Sequence, residues 1–412
     1  MSRRRRITWT ALGGVLGPGA HAWIYSATLG SLHRAALAHL DPASSAADAG
    51  RCRIHRYATW KVFLDSNNAA VLEELGWNDD FATALAALGD PAIEPGRVSA
   101  DFGIRFLVET ARGPVTAALS GPLRQAGRRV AVGDWVGLYP ELAQIRHVLP
   151  HRTAIRRNTP GTEAHEQVLA ANIDVVLLAS AVGPDFNPRR IERLLTVAYQ
   201  SGGAPVVLLT KADLDEVLPY ERQLAAIVPA VPVVAVSGLR GDGVQELRAY
   251  LLRGKTAVLI GSSGVGKSTL INHLLGAESL PTGEVHRSGQ GRHTTSHRQL
   301  IKLPGGSMII DTPGLREVQI WAGGDTLGVA FADIDDLARR CRFTDCRHRQ
   351  EPGCAVIAAE AGGALDTSRL TNYRKLQGEL RAIEVRADIR LRLEERRKWK
   401  VIHRAVRKGN KG

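Results

Sequence analysis

"TKAD" at residues 210–213 and "GSSGVGKST" at 261–269 decide how this chain folds, and the puzzle lies in their order. The second stretch fits G-x-x-x-x-G-K-[ST] through Gly261, Gly266, Lys267 and Ser268. In such a loop glycines let backbone N–H groups converge on phosphate oxygens, the lysine supplies a point charge, and the hydroxyl can ligate magnesium. The whole run Gly261, Ser262, Ser263, Gly264, Val265, Gly266, Lys267, Ser268 and Thr269 is therefore a candidate phosphate cradle. Its flanks agree. "TAVLIG" (256–261) is a short apolar run that predicts a buried strand, and "KSTLINHLLG" (267–276) predicts a helix whose N-terminus favours anions.

"TKAD" follows another apolar run, "APVVLL" (204–209). Asp213 suits a guanine reader, because a carboxylate accepts from the ring imino and exocyclic amino groups together. Adenine presents a ring acceptor at that place, and such a mismatch costs a few kcal/mol. The aliphatic stem of Lys211 can cover the base, and Ser237, ending "VVAVSG" (233–238), offers a second base contact. Thr210 stands where GTPases more often carry Asn, the residue that braces the phosphate loop.

An ordinary GTP-binding domain holds the phosphate loop first and the base reader later; here the order is reversed. Strands of a parallel sheet need only be neighbours in space, so a chain cut and rejoined elsewhere keeps the site. The expectation is a circularly permuted α/β P-loop domain. "IIDTPG" (309–314) supplies the next part: Asp311 at a strand end to hold magnesium through water, and the Gly314 N–H for the terminal phosphate. The permutation tethers whatever follows Gly314 to the segment that senses that phosphate.

Beyond this core, Cys341, Cys346, His348 and Cys354 give C-x4-C-x-H-x5-C. These four ligands suit one structural zinc ion, with no position left open for catalysis. Cys52 is the one cysteine of the four that lies outside this set. A disulfide framework does not suit this pattern, and a reducing cytoplasm does.

Together these stretches resemble the ribosome small-subunit-dependent GTPase A family. "VGDWV" (132–136), "EQVLAANIDVVLLASA" (166–181), "FNPRRIERLL" (186–195) and "GRHTTSHRQL" (291–300) carry the likeness along with the motifs above, over roughly residues 71–412. The resemblance implies a GTP hydrolase that acts as a switch late in small-subunit maturation, with the subunit and its rRNA as partners. It also implies an OB-fold in the β-rich stretch 98–150, where short alternating runs alone would suit any small barrel.

The resulting expectation is a multidomain chain. Residues 1–70 read as an overlong gene call or a disordered extension. A lead and OB-fold barrel follow over 71–152, the permuted GTPase domain over 153–330, and a mostly helical zinc-binding domain with a basic tail over 331–412. Leu315 stands where many GTPases place the water-orienting Gln, which predicts slow intrinsic turnover. His293 in "GRHTTS" is then the candidate to position water, as the resemblance also suggests. Thr294 or Thr295 is expected to complete the magnesium shell; the sequence leaves both open.

The 412 residues carry a net charge of +13, which points to a polyanionic partner. Residues 396–411, "RRKWKVIHRAVRKGNK", hold eight Lys or Arg and no acid, with Trp399, Ile402 and Val406 on one helical face. No run of about twenty apolar residues suits a membrane span. A cytoplasmic monomer is expected. An RNA-binding factor with a merely structural nucleotide site is the alternative, and an ATP-driven motor would require "TKAD" to be accidental.

Overall fold

The computed structural model describes residues 66–158, 166–276, 298–311 and 326–387. It opens with two short helices, α1 (Ser66–Glu74) and α2 (Asp79–Ala86). Asn78 caps α2 by accepting from the N–H groups of Asp80 and Phe81. The first helix begins at Ser66, upstream of the "VLEELGW" stretch at which the family likeness starts.

Five strands follow: β1 (Glu94–Asp101), β2 (Arg105–Thr110), β3 (Gly113–Leu119), β4 (Trp135–Tyr139) and β5 (Gln144–Val148), with helix α3 (Gly121–Gln125) between β3 and β4. They pair in the order β1-β2-β3-β5-β4, and β4 returns to β1, so the sheet closes into a barrel. Only β3 and β5 run parallel. Alternation turns Val98, Phe106, Val108, Val136, Leu138 and Ile145 into one buried cluster inside. This is the expected OB-fold barrel.

A hairpin of β6 (Ala154–Asn158) and β7 (Glu166–Ala171) leads into alternating elements. These are β8 (Val175–Ala181), α4 (Pro188–Ser201), β9 (Ala204–Thr210), α5 (Leu218–Ile227), β10 (Val233–Val236), α6 (Val244–Arg248), β11 (Thr256–Gly261), α7 (Lys267–Leu275), β12 (Gln299–Lys302) and β13 (Met308–Asp311). The sheet order is β10-β9-β8-β11-β13-β12, parallel throughout except for β12. Helices cover both faces, so β8, β9 and β11 read as continuous apolar runs. Pairing of Ala100 with Gln299 joins this sheet to the barrel.

The joint also holds a buried charge. Arg97 on β1 is almost fully enclosed; it donates to the Gly133 carbonyl at 3.3 Å, the Asn172 carbonyl at 3.1 Å and the Leu75 carbonyl. Burial pulls its pKa down to about 10, so it remains charged at neutral pH. Around it Trp77 and Phe81 pack on Trp135, with ring centroids 4.6 Å and 5.8 Å away. One guanidinium thus ties together the leading helices, the barrel and the end of β7.

Four helices complete the described chain: α8 (Thr326–Ala330), α9 (Ala332–Ala338), α10 (Ala355–Ala361) and α11 (Thr367–Ala387). They rest on α4 through a polar network. Glu192 of α4 is fully buried and accepts from Arg369 at 2.7 Å, Asn372 at 2.6 Å and Arg189. Arg369 also forks onto Asp333 of α9 at 2.8 and 2.6 Å. No helix among the described residues is long and apolar enough to cross a membrane.

Candidate functional site

The register of the parallel sheet explains how a reversed sequence builds one site. Ala181 pairs with Thr210, Thr210 with Val236, and Ala179 with Gly261. The carboxyl ends of β8, β9, β10 and β11 therefore lie along one edge, and β13 ends there at Asp311. Ligands of open α/β sheets bind at this edge.

The phosphate loop turns sharply out of β11. A Cβ on Gly261 would stand 2.5 Å from the Ala179 carbonyl oxygen, so only glycine lets β11 approach β8 this closely. Ser263 and Gly264 are exposed, while Ser262, Gly266, Lys267, Ser268 and Thr269 are half-buried. Lys267 folds into the loop, where its ammonium donates to the carbonyls of Gly261 at 2.9 Å and Ser262 at 2.6 Å. Val265 is buried and anchors the turn.

Thr210 supplies the brace. Its Oγ1 donates to the Val265 carbonyl at 2.6 Å, linking the end of β9 to the middle of the phosphate loop. The shorter side chain therefore still reaches the loop. Lys211 adopts a left-handed backbone (φ 58°), and a Cβ on Gly266 would lie 4.0 Å from Lys211 Cγ. The stem of that lysine passes over the cradle.

Asp213 and Ser237 come together from β9 and β10. The Ser237 hydroxyl stands beside the Asp213 carboxylate and helps hold its pKa below the ordinary value. Ser237 Oγ in turn accepts from the Arg240 N–H at 3.0 Å. Gly238 then packs on α7, where a Cβ would meet the Leu270 nitrogen at 2.9 Å. The candidate base reader and the candidate phosphate helix thus touch directly.

Ser268 and Asp311 offer a hydroxyl and a carboxylate, the hard oxygen donors that suit magnesium. His293, Thr294, Thr295, Gly314 and Leu315 lie outside the described residues, as does the basic tail 396–411. Sequence reasoning overlooked one neighbour of the loop. Arg190, in the first turn of α4, reaches Ser262 Oγ at 3.3 Å. Nothing in "FNPRRIERLL" distinguishes it from the arginines beside it.

The four metal-ligand candidates converge between α9 and α10. Their ligand atoms all lie within 4.8 Å of one another. Cys341 Sγ is 3.8 Å from Cys354 Sγ and 3.6 Å from His348 Nδ1, and Cys354 Sγ is 3.5 Å from that nitrogen. Tetrahedral zinc, with bonds of about 2.3 Å to sulfur and about 2.0 Å to nitrogen, needs edges of about 3.8 and 3.5 Å. The donor set fits. Burial holds the His348 imidazole below its ordinary pKa, which keeps it neutral as a ligand must be. Glu351 shapes the loop by accepting from the N–H groups of Arg347, Arg349 and Gln350 at 3.1, 2.7 and 3.1 Å.

Known proteins are similar to this chain in sequence and in fold. A family model described as RsgA GTPase matches residues 148–321. A small ribosomal subunit biogenesis GTPase RsgA from Opitutus terrae is 44% identical over 356 residues, covering 82% of this chain and 97% of the relative. A protein of the same description from Streptomyces coelicolor is 42% identical over 349 residues, covering 81% and 93%. Among solved structures, YjeQ from Thermotoga maritima matches with a TM-score of 0.54 and 29% identity, over 70% of this chain and 98% of that one. YloQ, described as a circularly permuted GTPase, shares the fold with a TM-score of 0.52 at 22% identity, over 70% and 96%.

Proposed function

The chain belongs to the RsgA GTPase family, and from that premise we propose that it hydrolyses GTP as a switch in the maturation of the small ribosomal subunit. The observation that carries this is the meeting of loop, brace and base reader at one sheet edge despite their reversed order. Ser262 to Thr269 wrap the phosphates, Lys267 moves from its carbonyls onto the β- and γ-phosphate oxygens, and Asp213 with Ser237 reads guanine. Ser268 and Asp311 hold magnesium, which supplies charge neutralisation on those oxygens when bound. Gly314 serves the terminal phosphate, Thr294 or Thr295 completes the magnesium shell, and His293 orients the attacking water.

Cys341, Cys346, His348 and Cys354 hold one zinc ion, which supplies the cross-link that a short loop with little core of its own requires. The barrel, this metal loop and the basic tail are the parts through which the chain docks on the subunit and its rRNA. The division into a lead and barrel over 71–152, a GTPase domain over 153–330 and a metal-binding helical domain beyond 331 goes with this function. The protein acts in the cytoplasm, as a monomer.

The test is single-turnover decay of GTP by the full chain, with and without purified small subunits, paired with cosedimentation in GDP and in a non-hydrolysable GTP analogue. The expected result is slow decay alone, at roughly 10⁻² s⁻¹ or below, marked stimulation by subunits, and tighter association in the analogue. Unstimulated decay with nucleotide-independent association overturns the switch.

A further inference from the structure

Helix α4 carries arginines at 189, 190 and 193. Two of them face the C-terminal helices. Arg189 pairs with Glu192 and with Asp366 at 2.6 Å, and Arg193 pairs with Glu379 at 2.8 Å. Arg190 turns the other way, towards the phosphate loop. Its Nη1 donates to Ser262 Oγ at 3.3 Å and to the Asp185 carbonyl at 3.4 Å. Among the described residues no carboxylate stands within ion-pair range of it, and its Nε and Nη2 make no hydrogen bond.

Arg190 is thus a half-buried guanidinium, most of whose donors are unused among the described residues, held against the second residue of the phosphate loop. The carbonyl of that same residue accepts from Lys267. Ser262 therefore sits between two cations, one inside the loop and one arriving from α4. A planar fork of donors matches phosphate oxygens, and a partly desolvated cation gains most from a neighbouring anion. We propose that Arg190 binds the terminal phosphate of GTP in cis, as a second cation beside Lys267. This rests on the GTPase reading and adds a group to it.

In hydrolysis the water oxygen bonds to the γ-phosphorus while the bond to the β–γ bridging oxygen breaks. GDP and inorganic phosphate leave, and the proton of the attacking water goes to phosphate and solvent. Arg190 stays protonated throughout. Its contribution is to stabilise charge on the transferring group, the part that a cis-acting arginine plays in other nucleotide hydrolases. GDP lacks that phosphate, so Arg190 should favour GTP over GDP. A simple brace of the loop would favour neither.

The experiment titrates full-length wild type, Arg190→Ala, Arg190→Lys and Ser262→Ala with fluorescent GDP and with a non-hydrolysable GTP analogue, alongside single-turnover decay of GTP. Arg190→Ala is expected to bind the analogue about tenfold more weakly while holding GDP within about twofold. Its decay rate should fall by at least about tenfold, and Arg190→Lys should lie between it and wild type. Ser262→Ala removes the contact between the two side chains but not the phosphate contact, so its preference for the analogue over GDP should match wild type. Equal losses of both nucleotides in Arg190→Ala make the arginine a brace and overturn the proposal; a selective loss in Ser262→Ala as large as in Arg190→Ala places the selectivity in the contact with Ser262 instead of in a phosphate contact, and overturns it too. So does an unchanged preference in both arginine variants. If wild type binds neither nucleotide, the GTPase reading falls first and the proposal with it.

Discussion

Thr210→Val removes one hydroxyl and almost no volume. In the wild type that hydroxyl donates to the Val265 carbonyl at 2.6 Å, and both residues are buried. Valine leaves the buried acceptor unpaired, at a cost of about 1–3 kcal/mol. The nucleotide-free loop can escape much of that cost by opening to water. The bound loop cannot, because its backbone N–H groups must still converge on phosphate. Most of the penalty therefore appears in binding. With about 1.4 kcal/mol transferred, GDP and GTP each bind about tenfold more weakly. The ratio of the two should not change, since the brace touches neither the terminal phosphate nor the base. Thr210→Asn restores a donor and should recover most of the loss. Equilibrium titration with fluorescent GDP and a GTP analogue, together with thermal melting of the nucleotide-free protein, reads all of this. Unaltered affinity and an unaltered melting temperature in Thr210→Val would show that the contact braces nothing.

Asp213→Asn alters only the group facing the guanine edge, so it should lose about 2–3 kcal/mol of GTP affinity and gain binding of a xanthine nucleotide; full GTP affinity in the variant refutes the base-reader role. Cys346→Ala should abolish zinc, measured as metal per chain, and weaken subunit association while leaving GDP affinity within about threefold; a metal-free wild type that still docks tightly contradicts this. Burial pushes the Asp134 carboxyl up to about 7, with His151 Nδ1 3.7 Å from one oxygen, the Ala131 N–H on the other, and Arg97 and Arg128 nearby. A raised folded-state pKa means that the native state binds more protons than the unfolded chain. Its stabilising contribution is therefore present below the ordinary carboxylate pKa and is lost as pH rises towards about 7. Asp134→Asn should flatten that part of the stability curve in denaturant unfolding; an unchanged slope shows that the carboxyl does not titrate there.

Much of this protein was legible as local pattern. The strand–loop–helix of 256–276 declares itself because a phosphate loop demands glycine, lysine and a hydroxyl at fixed spacing, and the apolar runs on either side have the lengths of a strand and a helix. The four metal ligands sit within fourteen residues, so one loop suffices to bring them together. Alternation in 98–150 announced strands, but closure of the barrel depends on β4 returning to β1, a pairing between residues far apart in sequence.

Other features belong to the tertiary structure alone. "TKAD" becomes part of a site only because β9, β8 and β11 lie side by side, which places Thr210 under Val265 and Asp213 against Ser237. Arg97 looks like any basic residue in a β-run, yet the joint between barrel and sheet encloses it among carbonyls from three segments. Arg189 and Arg190 are neighbours in the chain and opposites in space. The helical turn of about 100° per residue aims one at the C-terminal helices and the other at the phosphate loop, and composition carries no trace of that direction. Sequence records which chemistry a segment can perform; packing across the sheet decides which segments perform it together.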